Sequence, residues 1–408
     1  MIKFVGAALT AMAVAAAGTG CTREAADDAQ ASPAQSAPAP AGVDAGALDP
    51  ANYPTKPLPP MGNGGGRQHA AVLEANRLAD AVVGPWEVDE AINQIAGLGF
   101  AYGGSPILPE RLQVVMDKRA AEVGQPKMVT GYASNRKLDN QRMLNNVVLE
   151  MQDPQAASAA AHDMPQRLLD LAGQYESTTG TAIVPIPGHD DAFAVASTAE
   201  LPETGDRPWN MVESFTAHGP FVLFQRAQTT ADMADAVSLV ARTLDLQIPA
   251  IAGFTPTAAA DLPNLPKDPS GLLARTLPVG PKGETFVNNA TLGTRAMLHE
   301  EPNPIAAHKA YSDAGADLKV VADGTVFRTR DAAAAKALAT RFSETETGPH
   351  APADAVPNLP DSTCYHLTDN DKFACAGASD QHTFVVYGPR LQDVHHMAAA
   401  QYLLLAAK

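Results

Sequence analysis

Aromatic side chains are scarce, 5% of 408 residues, cysteine occurs three times, and the basic residues are outnumbered, 29 Lys and Arg against 45 Asp and Glu. The shortage of positive charge, with no Lys/Arg cluster, excludes a sequence-independent nucleic-acid binder, which needs clustered cations to displace phosphate counterions. No Gly-x-Ser-x-Gly turn presents a nucleophile, and no His-Glu-x-x-His pair offers a zinc-protease site. Gly97-x-Gly99 followed by Gly103-Gly104 lacks dinucleotide-loop spacing and follows no strand, and Gly64-Gly65-Gly66 lacks the Lys-Ser/Thr that grips phosphate, so neither is a nucleotide site. What is present is an apolar fraction of 45% carried heavily by alanine, with Pro (33) slightly exceeding Gly (31) and a net charge of -16. That composition excludes collagen-like, coiled-coil and wholly disordered chains, and the length leaves room for two domains.

The N-terminus is the most specific segment. Met1-Ile2-Lys3 is a short basic start, and residues 4–17 form an uncharged apolar run of signal-peptide length, too short to stay as a spanning helix. The run ends Ala17-Gly18-Thr19-Gly20-Cys21, which resembles a bacterial lipobox, with Gly18 standing where that motif usually carries leucine. Residues 1–20 are then a lipoprotein signal peptide, and Cys21 becomes the acylated N-terminus; the alternative is a plain secretory signal with an incidental cysteine. Each buried acyl methylene contributes about 0.8 kcal/mol, so two or three chains hold a protein stably on a membrane. Cleavage removes one basic residue, Lys3, leaving 28 basic and 45 acidic residues, a charge of -17 that gives no attraction to anionic lipid.

Residues 21–66 are rich in Ala, Pro, Asp, Ser and Gly and are read as a disordered tether, although Tyr53-Pro54-Thr55 and Leu58-Pro59-Pro60 have the character of an extended strip able to dock on the body. Beyond it the chain repeats itself. In the first copy, 109–123 has helical spacing, 128–134 and 147–151 read as strands, Asp153-Pro154 caps a helix to about 172, three strands follow at 193–195, 212–217 and 221–227, and a helix over 231–244 closes the copy. In the second, 304–314 is the helix, 318–322 and 325–329 form a hairpin through Asp323-Gly324, and Asp331 caps 332–342. Strands 364–367, 373–376 and 383–387 and a helix over 391–407 follow. Both copies read α-β-β-α-β-β-β-α. The expected fold class is α+β: two repeated modules, 67–250 and 273–408, joined by a linker over 251–272, each a mostly antiparallel sheet with helices packed on one face.

With Cys21 assigned to lipid, Cys364 and Cys375 remain as a pair. A hairpin with Thr368-Asp369-Asn370-Asp371 as its loop sets 367 opposite 372 and therefore 364 opposite 375, close enough for a disulfide that contributes roughly 2–3 kcal/mol. Their spacing fits neither a redox CxxC nor a zinc knuckle. His189-Asp190-Asp191 and His299-Glu300-Glu301 are read as solvated turns, since adjacent residues rarely converge on one metal, and Asp369-Asn370-Asp371 as a hairpin tip without the Gly and Glu of a calcium loop. His395-His396 point about 100° apart on a helix. Trp86 and Trp209 are read as packing anchors rather than ligand platforms. No catalytic or metal residue and no cofactor is assigned.

The lipobox, Leu48-Asp49-Pro50-Ala51-Asn52-Tyr53-Pro54-Thr55, Val82-Val83-Gly84-Pro85-Trp86-Glu87-Val88-Asp89 and Ala399-Ala400-Gln401-Tyr402 together resemble a family of large actinobacterial lipoproteins, of mycobacterial and nocardial type, built from a domain of unknown function with a separate C-terminal domain. The resemblance implies exposure on a mycolate-type or related Gram-positive envelope and carries over no catalytic residue. The expectation is a lipid-anchored extracytoplasmic protein whose paired modules bind an envelope ligand or protein partner between them without catalysing a reaction. A second expectation is an unfamiliar enzyme, hydrolase-like, using His189 with acids from other segments. A third is a structural protein exposing a large apolar patch.

Overall fold

The computed structural model describes residues 42–96, 103–174, 178–199, 208–280, 289–346 and 348–407. Cys21 and the signal segment lie outside them. The first copy comprises helices α1 (Arg67–Leu78), α2 (Pro85–Val88), α3 (Lys118–Gly124), α4 (Pro154–Asp170) and α5 (Met233–Ala252). Its strands are β1 (Gln94–Ile95), β2 (Gly104–Pro106), β3 (Met128–Leu138), β4 (Arg142–Met151), β5 (Thr178–Val184), β6 (Phe193–Ala199), β7 (Trp209–His218) and β8 (Phe221–Thr229). The second comprises α6 (Pro304–Ala314), α7 (Ala332–Arg341) and α8 (Leu391–Ala406) with β9 (Ala290–Leu292), β10 (Leu318–Val321), β11 (Gly324–Arg328), β12 (His350–Ala353), β13 (Thr363–Leu367), β14 (Lys372–Ser379) and β15 (His382–Gly388). Capping carries the repeat into local structure: Asp153 accepts from the Ala156 amide at 2.7 Å to open α4, and Asp331 from Ala334 at 2.8 Å to open α7. The single helix expected over 109–123 is two pieces, because Asp117 caps a new start by accepting from the Arg119 amide at 2.8 Å.

Both sheets are antiparallel and share one strand order. The first runs β5-β6-β7-β8-β4-β3, with β1 and β2 both on β3, and the second β12-β13-β14-β15-β11-β10-β9. Beyond the sequence pattern the first copy adds β1, β2 and β5 and the second adds β9 and β12, with β5 and β12 at corresponding sheet edges. The helices depart from the expected single face. Val147, Leu149, Phe215 and Phe224 pack toward α4, while Leu144, Val148, Val212 and Leu223 pack toward α5. In the second copy Ala374, Ala376 and Val385 meet α7, and Cys375, Phe384 and Val386 meet α8. The central strands are apolar on both alternations, so each sheet needs cover on both sides.

A buried glutamine does the same task in both closing helices. Gln247 of α5 takes the Val83 amide at 2.9 Å and donates to the Ala81 carbonyl at 2.7 Å; Gln401 of α8 takes the Leu277 amide at 2.8 Å and donates to the Arg275 carbonyl at 2.9 Å. The polar interruption in the α8 stripe is thus the group that holds the chain where it enters the copy. It also explains Gly324, which begins β11 instead of sitting in the turn: a Cβ there would lie 2.9 Å from Gln401 Oε1.

Residues 43–66, expected within the tether, lie along the second copy. Leu48 is buried in that copy's core with Tyr53 and Met61 partly buried beside it, and the Leu58 amide donates to the Ala274 carbonyl at 2.8 Å. Gly64 and Lys267 amides donate to Leu265 and Gly62 carbonyls at 2.8 and 3.0 Å, tying the strap to the stretch between the copies. From Val43 onward the chain forms one compact unit. A single apolar cluster runs from Leu223 and Leu244 through Val82, Leu292 and Leu298 to Phe327 and Val385, so the two sheets share a core.

Candidate binding site at the junction of the two copies

One connected group of buried polar side chains lies where the copies meet. Arg136, on β3, is fully buried; its Nη2 donates to the carbonyls of His299 at 2.7 Å and Glu301 at 2.8 Å, and its Nη1 to Asn93 at 3.1 Å, with the guanidinium 5.3 Å from the centre of the Trp86 ring. Burial brings its pKa down to about 10, so it remains a cation. His299, read from the sequence as part of a solvated turn, is instead 0% exposed. Burial holds its pKa near about 3, so the ring is neutral. Nε2 lies 3.1 Å from the Ala79 carbonyl, which only accepts, so the proton sits on Nε2 and Nδ1 accepts from Ser134 Oγ at 2.9 Å. The ring packs between Trp86 and Tyr132. Gly103 and Gly104 now have a reason that is not nucleotide binding: a Cβ on the first would fall 2.3 Å from the Arg136 guanidinium, and on the second 2.4 Å from His299 Cβ.

From Glu301 the network continues to Lys319 on β10, whose Nζ lies 2.7 Å from Glu301 and 3.4 Å from Glu300. Burial lowers the Lys319 pKa, but the two carboxylates outweigh it and hold the group above its ordinary value. Lys319 and Glu300 reach a cleft of about 440 Å³ between the junction and the part of the second sheet that α7 leaves uncovered, within the range of small-molecule sites. Ile95 of the first copy, Asp323, Glu346 and Tyr387 complete the part that matters chemically. The Tyr387 hydroxyl donates to Glu346 at 2.9 Å. Burial raises the pKa of Glu300, Glu346 and Asp323 alike. Acids outnumber the cations Lys319 and Lys372, so the cleft disfavours anions and offers acceptors to hydroxyl- or amine-bearing groups.

The family description "Domain of unknown function (DUF7373) N-terminal" matches residues 61–267 and its C-terminal counterpart residues 272–408. The chain belongs to the DUF7373 family. The extracellular domain of PknH from Mycobacterium tuberculosis is similar in structure, with 14% identity and a TM-score of 0.29, covering 42% of this chain and 95% of that one. No curated protein sequence matches.

The polar clusters singled out in the sequence of this DUF7373 chain are held by local bonds and packing. His189 is 9% exposed with Nε2 3.0 Å from Asp245 of α5, an acid 67% exposed. Its turn, Ile186-Pro187-Gly188-His189, repeats as Val356-Pro357-Asn358-Leu359, with the same backbone bonds at 3.0 and 3.1 Å and left-handed Gly188 and Asn358. His189 therefore fills the place of a core leucine instead of standing in solvent as its sequence suggested, and it meets one acid from a distant segment, Asp245. Cys364 and Cys375 form a disulfide at directly opposed positions, Cα atoms 4.1 Å apart, in the register anticipated. His395 lies beside them, but the sulfurs are bonded to each other and His395 is 2.8 Å from the Asp354 carbonyl. His396 turns instead to Asp49 of the strap at 3.4 Å. Asp369-Asn370-Asp371 is the tip of the β13–β14 hairpin, as expected, with Asp371 left-handed and 2.8 Å from His366. Trp86 and Trp209 are buried.

Sequence reasoning missed Arg136, Lys319, Glu346 and Tyr387. One signal was available: Tyr132, Ser134 and Arg136 alternate along a strand, a polar stripe on a face that period-2 spacing turns inward.

Proposed function

We propose that this chain is a lipid-anchored extracytoplasmic protein of an actinobacterial-type envelope, held on the outer face of the cell membrane through acylated Cys21, and that it binds a small envelope ligand or partner without transforming it. The observation that carries the binding reading is the junction cleft, where Glu300, Lys319, Glu346 and Tyr387 from separate segments of the second copy converge beside Ile95 of the first. Isolated buried charges are costly, and paired ones add little to stability over apolar packing, so a group of ionisable residues opening on a cleft points to recognition. The anchor rests on the lipobox-like Ala17-Gly18-Thr19-Gly20-Cys21 alone. Mass spectrometry of the protein taken from its native envelope tests both parts. A diacylglyceryl adduct on Cys21, absent from Cys21→Ala, and a co-purifying molecule lost in Glu346→Ala/Tyr387→Phe are expected. An unmodified Cys21, or the same co-purifying species in wild type and variant, refutes the corresponding half.

A further inference from the structure

Strand registers superpose the copies residue by residue. In the β7–β8 hairpin Glu213 pairs with Arg226 and lies opposite Val195 of β6; in β14–β15 Ala374 pairs with Tyr387 and lies opposite Tyr365 of β13. By the same count Ser197 corresponds to Leu367 and Met211 to Lys372. Leu367, Lys372 and Tyr387 line the junction cleft. Their counterparts Ser197, Met211 and Arg226 line a second cleft, of about 400 Å³, under the end of α4 in the first copy. The duplication has thus placed a cleft at the same position twice and furnished the two differently.

The floor of the first-copy cleft is an ion pair that the fold does not require, since alanine and tyrosine stand there in the other copy. Glu213 is 8% and Arg226 23% exposed at the side chain. Nε and Nη2 of Arg226 both donate to the same oxygen, Glu213 Oε1, at 3.0 and 2.7 Å. Among the described residues, Arg226 Nη1 and Glu213 Oε2 make no hydrogen bond, so the pair keeps a donor and an acceptor unused. The pair is neutral as a whole, so an anion drawn by the guanidinium meets the carboxylate, and a cation the reverse. Asp117, the other charged residue on the wall, is engaged in capping α3, accepting from the Arg119 amide at 2.8 Å. Met116, Leu168, Leu171, Met211 and Val195 form apolar walls, two of them methionines that adapt to varied shapes.

We propose that this cleft binds an uncharged amide with a short aliphatic part, its carbonyl accepting from Arg226, its N–H donating to Glu213 and its chain lying against Met116 and Met211. The site is separate from the junction cleft and independent of the reading given to that one. The test is methyl NMR on the full chain carrying ¹³C-methyl methionine, titrated with hexanamide, hexanoate and hexylamine, which share a chain and differ in head group. Hexanamide is expected to shift the Met116 and Met211 methyl signals saturably at a concentration at least tenfold below the other two. Two variants borrow the second copy's residues: Glu213→Ala/Arg226→Tyr removes the head-group partners, and Ser197→Leu fills the cleft while leaving the pair intact. Each is expected to weaken hexanamide binding at least tenfold, and Ser197→Leu keeps the test decisive if the double variant does not fold. Binding of hexanoate or hexylamine as tight as that of hexanamide, unchanged binding in a folded double variant or in Ser197→Leu, or no shift with any probe overturns the proposal.

Discussion

Glu150 is a carboxyl group whose proton is part of the folded structure. It sits on β4 almost fully buried, its Oε2 without a hydrogen-bond partner among the described residues, close to Glu74 of α1. Glu74 already accepts from the Thr257 amide at 2.7 Å and the Thr257 hydroxyl at 2.8 Å and pairs with Arg77, so Arg77 offsets only part of the cost of a second carboxylate there. Burial first, and the Glu74 charge second, push the Glu150 pKa up to about 8. In the unfolded chain a glutamate titrates near 4.3. Between those values the folded state keeps a proton that the unfolded state has released, so stability is fully present below pH 4 and is lost as pH rises toward 8. The slope for one proton is about 1.4 kcal/mol per pH unit, roughly 4 kcal/mol between pH 5 and pH 8. Glu150→Gln supplies a neutral side chain of the same shape. Urea unfolding at several pH values is expected to give similar stabilities for both proteins at pH 5 and a variant more stable by a few kcal/mol at pH 8. His299 acts in the other sense: buried and neutral, it contributes stability present above pH 6.5 and lost as pH falls toward 3. That slope is common to both proteins and cancels in the comparison. Parallel pH profiles for wild type and Glu150→Gln would refute the reasoning.

Arg136→Met leaves the carbonyls of Asn93, His299 and Glu301 facing apolar surface and is expected to destabilise by about 3–5 kcal/mol, seen as a lower urea midpoint. Cys364→Ala/Cys375→Ala is expected to lose roughly 2–3 kcal/mol, a loss that reductant reproduces in the wild type and not in the variant. His189→Leu, which copies Leu359, is expected to alter stability by less than about 1 kcal/mol in thermal unfolding; loss of any function of the protein in this variant, with the fold intact, contradicts the structural role given to His189.

What was legible in the sequence was what local chemistry dictates. Asp153 and Asp331 open α4 and α7 at the residues their cap preferences select, and the Thr368–Asp371 turn fixes the register that opposes Cys364 to Cys375. What escaped depended on partners distant in the chain. β12 carries Pro352 in a four-residue edge strand, and β5 is bent by a left-handed Gly180, so neither has a strand's usual pattern. His299-Glu300-Glu301 followed by Pro302 looks like a solvated turn because nothing near it in sequence announces Arg136 or Lys319, which enclose it from more than 150 residues upstream and from a neighbouring strand respectively. The strap over residues 43–66 has a linker's composition, and only the apolar surface of the second copy gives Leu48 and Tyr53 a place.

The glutamines of the closing helices bear on how the chain is made. Because Gln247 holds Ala81 and Val83 and Gln401 holds Arg275 and Leu277, neither copy reaches its final hydrogen bonding until its last helix exists. For the second copy that helix is α8, and Gln401 reaches back more than 120 residues to Arg275 and Leu277. Each copy is thus latched by a contact between an early and a late segment, and a chain cut before its last helix leaves the early segment of that copy without its buried partner.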